Sequence, residues 1–239
     1  MPAAYDTYDY PSYWEGRDYE HGSEEIAIKG FLNRIAKIKT ALEIGAGYGR
    51  LAPSYRFRTK KIILSDPSSV LLKTARENIG NKNVKYIHSR LRNLPRKLRA
   101  NSVNLVLLVR VLHHIDDQDE AFKIIKKILK PHGYLILEFA NKCHFKAQIS
   151  HFLRGNFTFP LEIFPKDLRT KKAKKKGDIP FLNFHPDDIK KKLEDTGFDI
   201  VEARSVSNFR SSFLKNILPI SLLLSIENLL QKLLSFFDF

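Results

Sequence analysis

Five short apolar runs, near Ala41–Gly45, Lys61–Ser65, Val84–His88, Val103–Val109 and Gly133–Phe139, alternate with stretches of helical period. Runs of that length bounded by turn residues predict buried strands, and their alternation with helices predicts crossover connections on a mostly parallel sheet. Further on, the helix DDIKKKLEDTG, closed by Gly197 as a C-cap, and a sixth strand, FDIVEARSV, resume the pattern. The expected fold is a doubly wound α/β sheet, mostly parallel, with helices on both faces. Asp117, with Glu120 three positions later, makes a capping-box-like pair ahead of AFKIIKKILK. Asp116, Asp117 and Asp119 therefore read as a helix start and not as a metal site, because neighbouring positions on a helix do not converge.

The segment PISLLLSIENLLQKLLSFFDF has a different pattern. Ser221, Ser225, Asn228, Lys232 and Ser235 recur every three or four residues, while Leu222, Ile226, Leu229, Leu230, Leu233 and Phe237 gather on the opposite side. This predicts an amphipathic helix. Glu227, Lys232 and Asp238 interrupt it well short of the roughly 20 apolar residues a membrane span requires. Its apolar face is expected either to pack on its own domain or to lie in a membrane interface.

Composition narrows the class. With 239 residues and 43% hydrophobic content, the chain can bury a substantial core in one α/β unit with small additions. Cys143 is the only cysteine, which excludes an internal disulfide and a cysteine-built metal site and fits a reducing cytoplasm. The opening MPAAYDTYDYPSYWEGRDYEHGSEE is acidic and tyrosine-rich, with no basic start and no apolar run, so no secretion signal is expected there. A net charge of +15 favours polyanions, either nucleic acid or an anionic membrane surface. Between Lys166 and Lys176 the run KDLRTKKAKKK sets seven positive side chains against Asp167 alone. It reads as an exposed loop, either solvated or in contact with phosphates. No aromatic residue is interleaved for base stacking.

The chemistry concentrates in ALEIGAGYGRL, a strand ending in Glu43 that runs into Gly45, Gly47 and Gly49. Glycines at such a bend permit a tight turn and the close approach of a ligand. A dinucleotide fingerprint would want its third glycine at position 50, where Arg50 stands. Asp66 ends the second strand, placed so that its carboxylate can accept from a ribose diol. Glu43, Asp66, Ser89, Arg110 and Asn141 all fall at or just beyond strand carboxyl ends, so topology gathers them on one rim. NLP (Asn93 to Pro95), VNLVLLV, VLHHI (Val111 to Ile115) and LKPHGYLILE (Leu129 to Glu138) follow in order.

Loop, acid and these segments together resemble the class I S-adenosylmethionine-dependent methyltransferases of the type 11 group, over roughly residues 40 to 140. The resemblance implies a Rossmann-like fold and S-adenosylmethionine as cofactor. It assigns Gly45, Ala46, Gly47 and Gly49 to the backbone that approaches the methionine part, with Glu43 organising that end from beneath. Asp66 would hold the ribose and Pro67 would lie along the adenosine. Val109 and Arg110, at the end of the fourth strand, complete the set. Where relatives usually carry an acid for the adenine amino group, this chain has Arg90, and the backbone at Leu91 is the remaining contact there. Asn104 replaces a common aspartate, a change expected to be structural. The segment YWEGRDYE, with Tyr13, Trp14, Arg17 and Tyr19, resembles amino-terminal cofactor covers of the group, and the forked donors of Arg17 suit a methionine carboxylate. Relatives usually end in a seventh, antiparallel strand. None is readable before Phe239, through truncation or a modified edge.

A sulfonium methyl is already electrophilic, so such an enzyme mainly aligns the reacting atoms and excludes water. His113 and His114 sit at neighbouring helical positions and cannot both face the cofactor, so at most one is a base and the other packs or caps. His185, in NFHP with Asn183, is a second candidate base. The expected organisation is a cofactor cover over 1–36, a cofactor-binding core over 37–141 and a lid with the basic loop over 142–186. The end of the α/β core over 187–209 and an amphipathic tail over 210–239 follow. The expected activity is methyl transfer to a small-molecule or lipid-like acceptor in the cytoplasm, the protein being either free there or peripheral at the anionic inner face of a membrane. The alternatives are an RNA acceptor reached through the basic lid and a non-catalytic cofactor-binding protein. No metal is expected.

Overall fold

In the computed structural model, which describes residues 9–169, 181–209 and 211–235, successive residues of each strand feed two separate hydrophobic layers. The strands are β1 (Ile38–Ile44), β2 (Thr59–Asp66), β3 (Val84–His88), β4 (Val103–Val109) and β5 (Leu129–Glu138). They form one parallel sheet in the order β3-β2-β1-β4-β5. Ala41, Ile62, Leu64, Leu105 and Leu107 point to one side, and Leu42, Ile44, Ile63, Val106 and Leu108 to the other. The first layer is covered by α2 (Asp18–Leu32), α3 (Ala52–Arg56) and α4 (Ser69–Ile79) through Ile28, Leu32, Tyr55, Leu72 and Ala75. The second is covered by α5 (Gln118–Ile128) and α7 (Pro186–Asp195) through Phe122, Ile125, Ile128, Ile189 and Leu193. A sheet apolar on both faces must be covered on both, which is why its strands read as continuous apolar runs.

Local chemistry sets the helix ends. The Asp117 carboxylate accepts from the Glu120 amide at 2.8 Å to start α5, and Ser68 accepts from Leu71 to start α4. Gly197, at φ 83°, closes α7 with its amide on the Glu194 carbonyl. Asn104 accepts the Thr40 amide through its side chain, stitching β4 to β1 in the structural role expected of it. Among the described residues the remaining α-helices are α1 (Tyr10–Tyr13), α6 (Phe145–Phe152), α8 (Ser212–Ile217) and α9 (Ile220–Leu234).

The sixth strand does not form. Among the described residues, 198–209 have no ladder partner, and just past β5 there is an isolated parallel bridge from Asn141 to Phe184. The charged residues of FDIVEARSV take the segment elsewhere. Glu202 binds Arg34 at 2.8 Å, just past the end of α2, and Arg204 at 2.7 Å, while Ile200 and Val201 stay exposed. The amphipathic segment does form as α9, but it packs on α2 through Leu223, Glu227 and Gln231 and not through its leucine-rich side. Among the described residues no helix is long and apolar enough to cross a membrane. The lysine run from Lys171 to Lys176, and Phe237 and Asp238, lie outside the described residues.

Candidate functional site

The sheet order reverses between β1 and β4, and ligands of open α/β sheets bind at that point, beyond the strand carboxyl ends. The glycine loop lies there. The amides of Gly45 and Ala46 both donate to the Ser65 carbonyl, at 2.7 and 3.0 Å, so the loop is tied to the end of β2. The three glycines serve different ends. A Cβ on Gly45 would lie 2.3 Å from Val111, and one on Gly49 would lie 2.9 Å from Ile79 of α4, so both are demanded by packing. Gly47, at φ 54°, would meet only the Tyr10 ring at an ordinary 3.5 Å; its glycine keeps the turn unstrained and its backbone approachable. The Gly47 amide donates to Asp66 Oδ2 at 2.8 Å, and the Ser68 amide donates to Oδ1 at the same distance. These two amides fix the orientation of the carboxylate.

Glu43 is buried beneath the loop. Tyr55 donates to it at 2.6 Å. Burial raises its carboxyl to about 7, and the nearby Asp66 adds to this, while the Tyr55 hydroxyl and Arg50 oppose it. The carboxyl is thus poised to change charge near neutrality.

Above the loop sits a cluster of arginines and aromatic rings that includes residues the sequence did not single out. Arg50 and Arg110 both hold the buried Glu24 of α2. Arg110 also donates to the Tyr13 hydroxyl at 3.0 Å, and it occupies the left-handed region, at φ 57°, where a non-glycine residue is uncommon. Burial acts to lower the pKa of its guanidinium, but the carboxylates of Glu138 and Glu24 outweigh that and raise it. Trp14 lies under Arg50, with 3.4 Å between guanidinium carbon and ring centre, and Arg110 approaches the same ring at 5.0 Å. The buried indole N–H of Trp14 lies near the Tyr10 hydroxyl and, among the described residues, makes no hydrogen bond of regular geometry. Forked donors and an indole N–H thus gather above the loop, a donor set that suits an amino-acid carboxylate. The motif carried no signal for Arg50 beyond a missing glycine, and none for Glu24 or Tyr10.

The other expected residues divide. Ala46 and Val109 are buried in the loop and at the end of β4. Pro67 follows Asp66 directly, and its carbonyl accepts from His88 Nε2 at 2.8 Å. Arg90 is exposed at the start of a 3-10 turn that begins at Leu91. Arg17 donates to the Tyr13 carbonyl and stacks on the Tyr13 ring at 4.1 Å, bracing the cover. Tyr19 is far from the position expected of it. It is 1% exposed in the α2–α9 contact, donating to Glu227 at 2.6 Å and accepting from the Phe209 amide, because its place on α2 faces away from the glycine loop.

His113 and His114 pack on each other, with ring centres 3.9 Å apart, and His113 also packs on Phe181. Burial lowers His113 to about 3, helped by His114 and the arginines, and lowers His114 to about 4. Both are neutral and weakly basic. His185 is spoken for: Nε2 donates to the Pro160 carbonyl at 2.8 Å, while Nδ1 accepts the Asp187 amide and caps α7. With one ring nitrogen donating and the other accepting, it has no lone pair left to act as a base.

The insert after β5 is built round Lys142. This lysine is 1% exposed and donates to the carbonyls of Glu162 and Phe164. A cavity of about 250 Å³ opens within the insert, lined by Gln148, Ile149, Phe152, Asn156, Phe157 and Pro160.

Residues 42–137 match a family model described as a methyltransferase domain. The chain is 27% identical over 186 residues to the ubiquinone/menaquinone biosynthesis C-methyltransferase of Francisella tularensis subsp. mediasiatica, covering 72% of each chain. Among solved structures, it is similar to a Thermotoga maritima S-adenosylmethionine-dependent methyltransferase described as a possible histamine N-methyltransferase. The TM-score is 0.58 at 20% identity, over 83% of this chain and 81% of that one. It is also similar to phosphoethanolamine N-methyltransferase 2 of Haemonchus contortus, solved with phosphomonomethylethanolamine and S-adenosylhomocysteine. There the TM-score is 0.56 at 19% identity, over 76% of this chain and 38% of that one.

Proposed function

We propose that this chain, a class I S-adenosylmethionine-dependent methyltransferase with its methyltransferase domain at residues 42–137, methylates a small-molecule or lipid-like acceptor. The observation that carries the cofactor site is the contact between Gly47 and Asp66, which joins the glycine bend to the acid one crossover away. When bound, S-adenosylmethionine supplies a methyl carbon activated by its sulfonium. The residues fit it: Asp66, at the end of β2 beside the loop, would accept from its sugar diol, and Arg110, Arg50 and Trp14 would supply donors for its amino-acid end. Glu43 braces the loop from below. Tyr10, Tyr13 and Trp14 cover the loop and exclude water, which strengthens every charge interaction inside.

The two neutral histidines suit positioning more than strong basicity. A half-buried His114 at about 4 can hold an acceptor by hydrogen bond without carrying charge at pH 7. The lone cysteine supports a cytoplasmic setting.

Calorimetry with S-adenosylmethionine tests the cofactor site. Binding is expected to be lost in Gly47→Asp and Asp66→Ala, and unchanged binding in both variants would remove the assignment. Labelled methyl transfer to a lipid extract, set beside transfer to RNA, tests the acceptor class. Label in RNA alone, weakening steeply with salt, would replace the lipid-like reading.

A further inference from the structure

Helix α9 carries three stripes and not two. At 100° per residue, Leu223, Glu227 and Gln231 form one, Ser221, Ser225, Asn228 and Lys232 a second, and Leu222, Leu229 and Leu233 a third. The first is buried on α2. Glu227, fully buried, accepts from Tyr19, from the amides of Ser207 and Asn208 and from Gln231, whose amide also reaches the Ser23 carbonyl. The helix is thus fastened by Leu223 and by polar groups, and Leu222, Leu229 and Leu233 are left outside. Leu222, Leu229 and Leu233 are 46, 56 and 49% exposed, and Phe213 and Ile217 of the adjoining α8 are 68 and 60% exposed. Burying a carboxylate while exposing a row of leucines runs against the usual order, and large exposed apolar patches mark interaction sites.

We propose that the outward leucine stripe of α9, with Phe213 and Ile217, docks on the interface of an anionic lipid bilayer. The apolar stripe lies beside a stripe of serine, asparagine and lysine that also faces out, the arrangement of a helix lying at the boundary between headgroups and acyl chains. Charge selects the occupant. Among the described residues of this layer, 211–235, Glu227 is buried, Lys215 pairs with Glu20, and the exposed charge is Lys232. A second copy of a chain of net charge +15 would be repelled, whereas anionic headgroups attract it. The α2 helix offers Tyr19 and Ser23 to α9 and Glu24 to the arginines of the cofactor site, so the docked surface would lie one helix from the candidate site. This inference is independent of the acceptor, because docking can be read without turnover.

The test is flotation of the full chain with vesicles of phosphatidylcholine plus phosphatidylglycerol, against phosphatidylcholine alone. Flotation with the anionic vesicles only is expected. The triple variant Leu222→Ser, Leu229→Ser, Leu233→Ser should lower the floated fraction by roughly tenfold with unchanged circular dichroism. If the triple variant does not fold, Leu229→Asp, at the most exposed of the three positions, gives the same reading. A folded variant that floats as the wild type does would overturn the proposal, as would equal binding to neutral vesicles. A wild type that does not float but is dimeric by light scattering, with a monomeric triple variant, would assign the stripe to a second copy.

Discussion

The Gly47 amide and the Asp66 carboxylate are hydrogen-bonded at 2.8 Å, so the bend after β1 and the acid at the end of β2 form one unit. Asp66→Asn turns one acceptor into a donor facing an amide. The expected outcome is a loss of about 1–3 kcal/mol in denaturant unfolding and at least about tenfold weaker S-adenosylmethionine binding by calorimetry.

Glu24 is nearly inaccessible to solvent and shared by Arg50 and Arg110. Glu24→Gln removes the charge that Arg50 and Arg110 share and leaves Arg110 to Glu138. Unfolding free energy is expected to fall by about 3 kcal/mol, with faster amide exchange over residues 10–24 as the cover loosens.

Tyr19→Phe separates a structural role from a cofactor role. Its hydroxyl both donates to Glu227 and accepts from Phe209, so about 1–3 kcal/mol of stability should be lost. Cofactor affinity should stay within about threefold of wild type. A large loss of affinity at unchanged stability would return Tyr19 to the binding site.

Glu43 predicts a pH dependence. Its folded pKa is raised from 4.5 to about 7, so the neutral form is favoured and its stabilising contribution, present below 4.5, is lost as pH rises toward 7. In the cofactor-free chain, Glu43→Gln should therefore gain on the wild type by about 3 kcal/mol between pH 4 and pH 8, measured by parallel denaturant melts. An unchanged difference across that window would contradict the burial argument.

The paired histidines act in the opposite direction. Their folded values of about 3 and about 4 lie below the ordinary 6.5, so their contribution is present above 6.5 and lost as pH falls through 4. His113→Asn and His114→Asn should each flatten the acid limb of the melting temperature against pH.

The sheet was legible because β1, β2 and β4 are buried on both faces and have to be written in apolar residues throughout. The glycine bend was legible because each glycine answers a local demand, whether a clash with Val111, a clash with Ile79 or an unstrained turn. The Arg50–Glu24–Arg110 group was not, because its members come from three distant segments and no spacing links them. FDIVEARSV misled because a run of strand-forming residues becomes a strand only where its backbone lies along an open sheet edge, and it does not lie along the edge of β5. Here Arg34 drew Glu202 toward α2. Tyr19 was misassigned for a related reason: sequence places a residue on a helix, but only the packing of α9 says which side faces the site.

The carboxylate of Glu227 fixes where the last helix can sit. Sliding α9 by one turn would bring Leu223, with no acceptor, or Gln231, with a single oxygen, to the spot where Tyr19, Ser207 and Asn208 converge. An oily seam tolerates such slippage. A keyed one has a single address, and the row of leucines on the far side is thereby held at one fixed bearing.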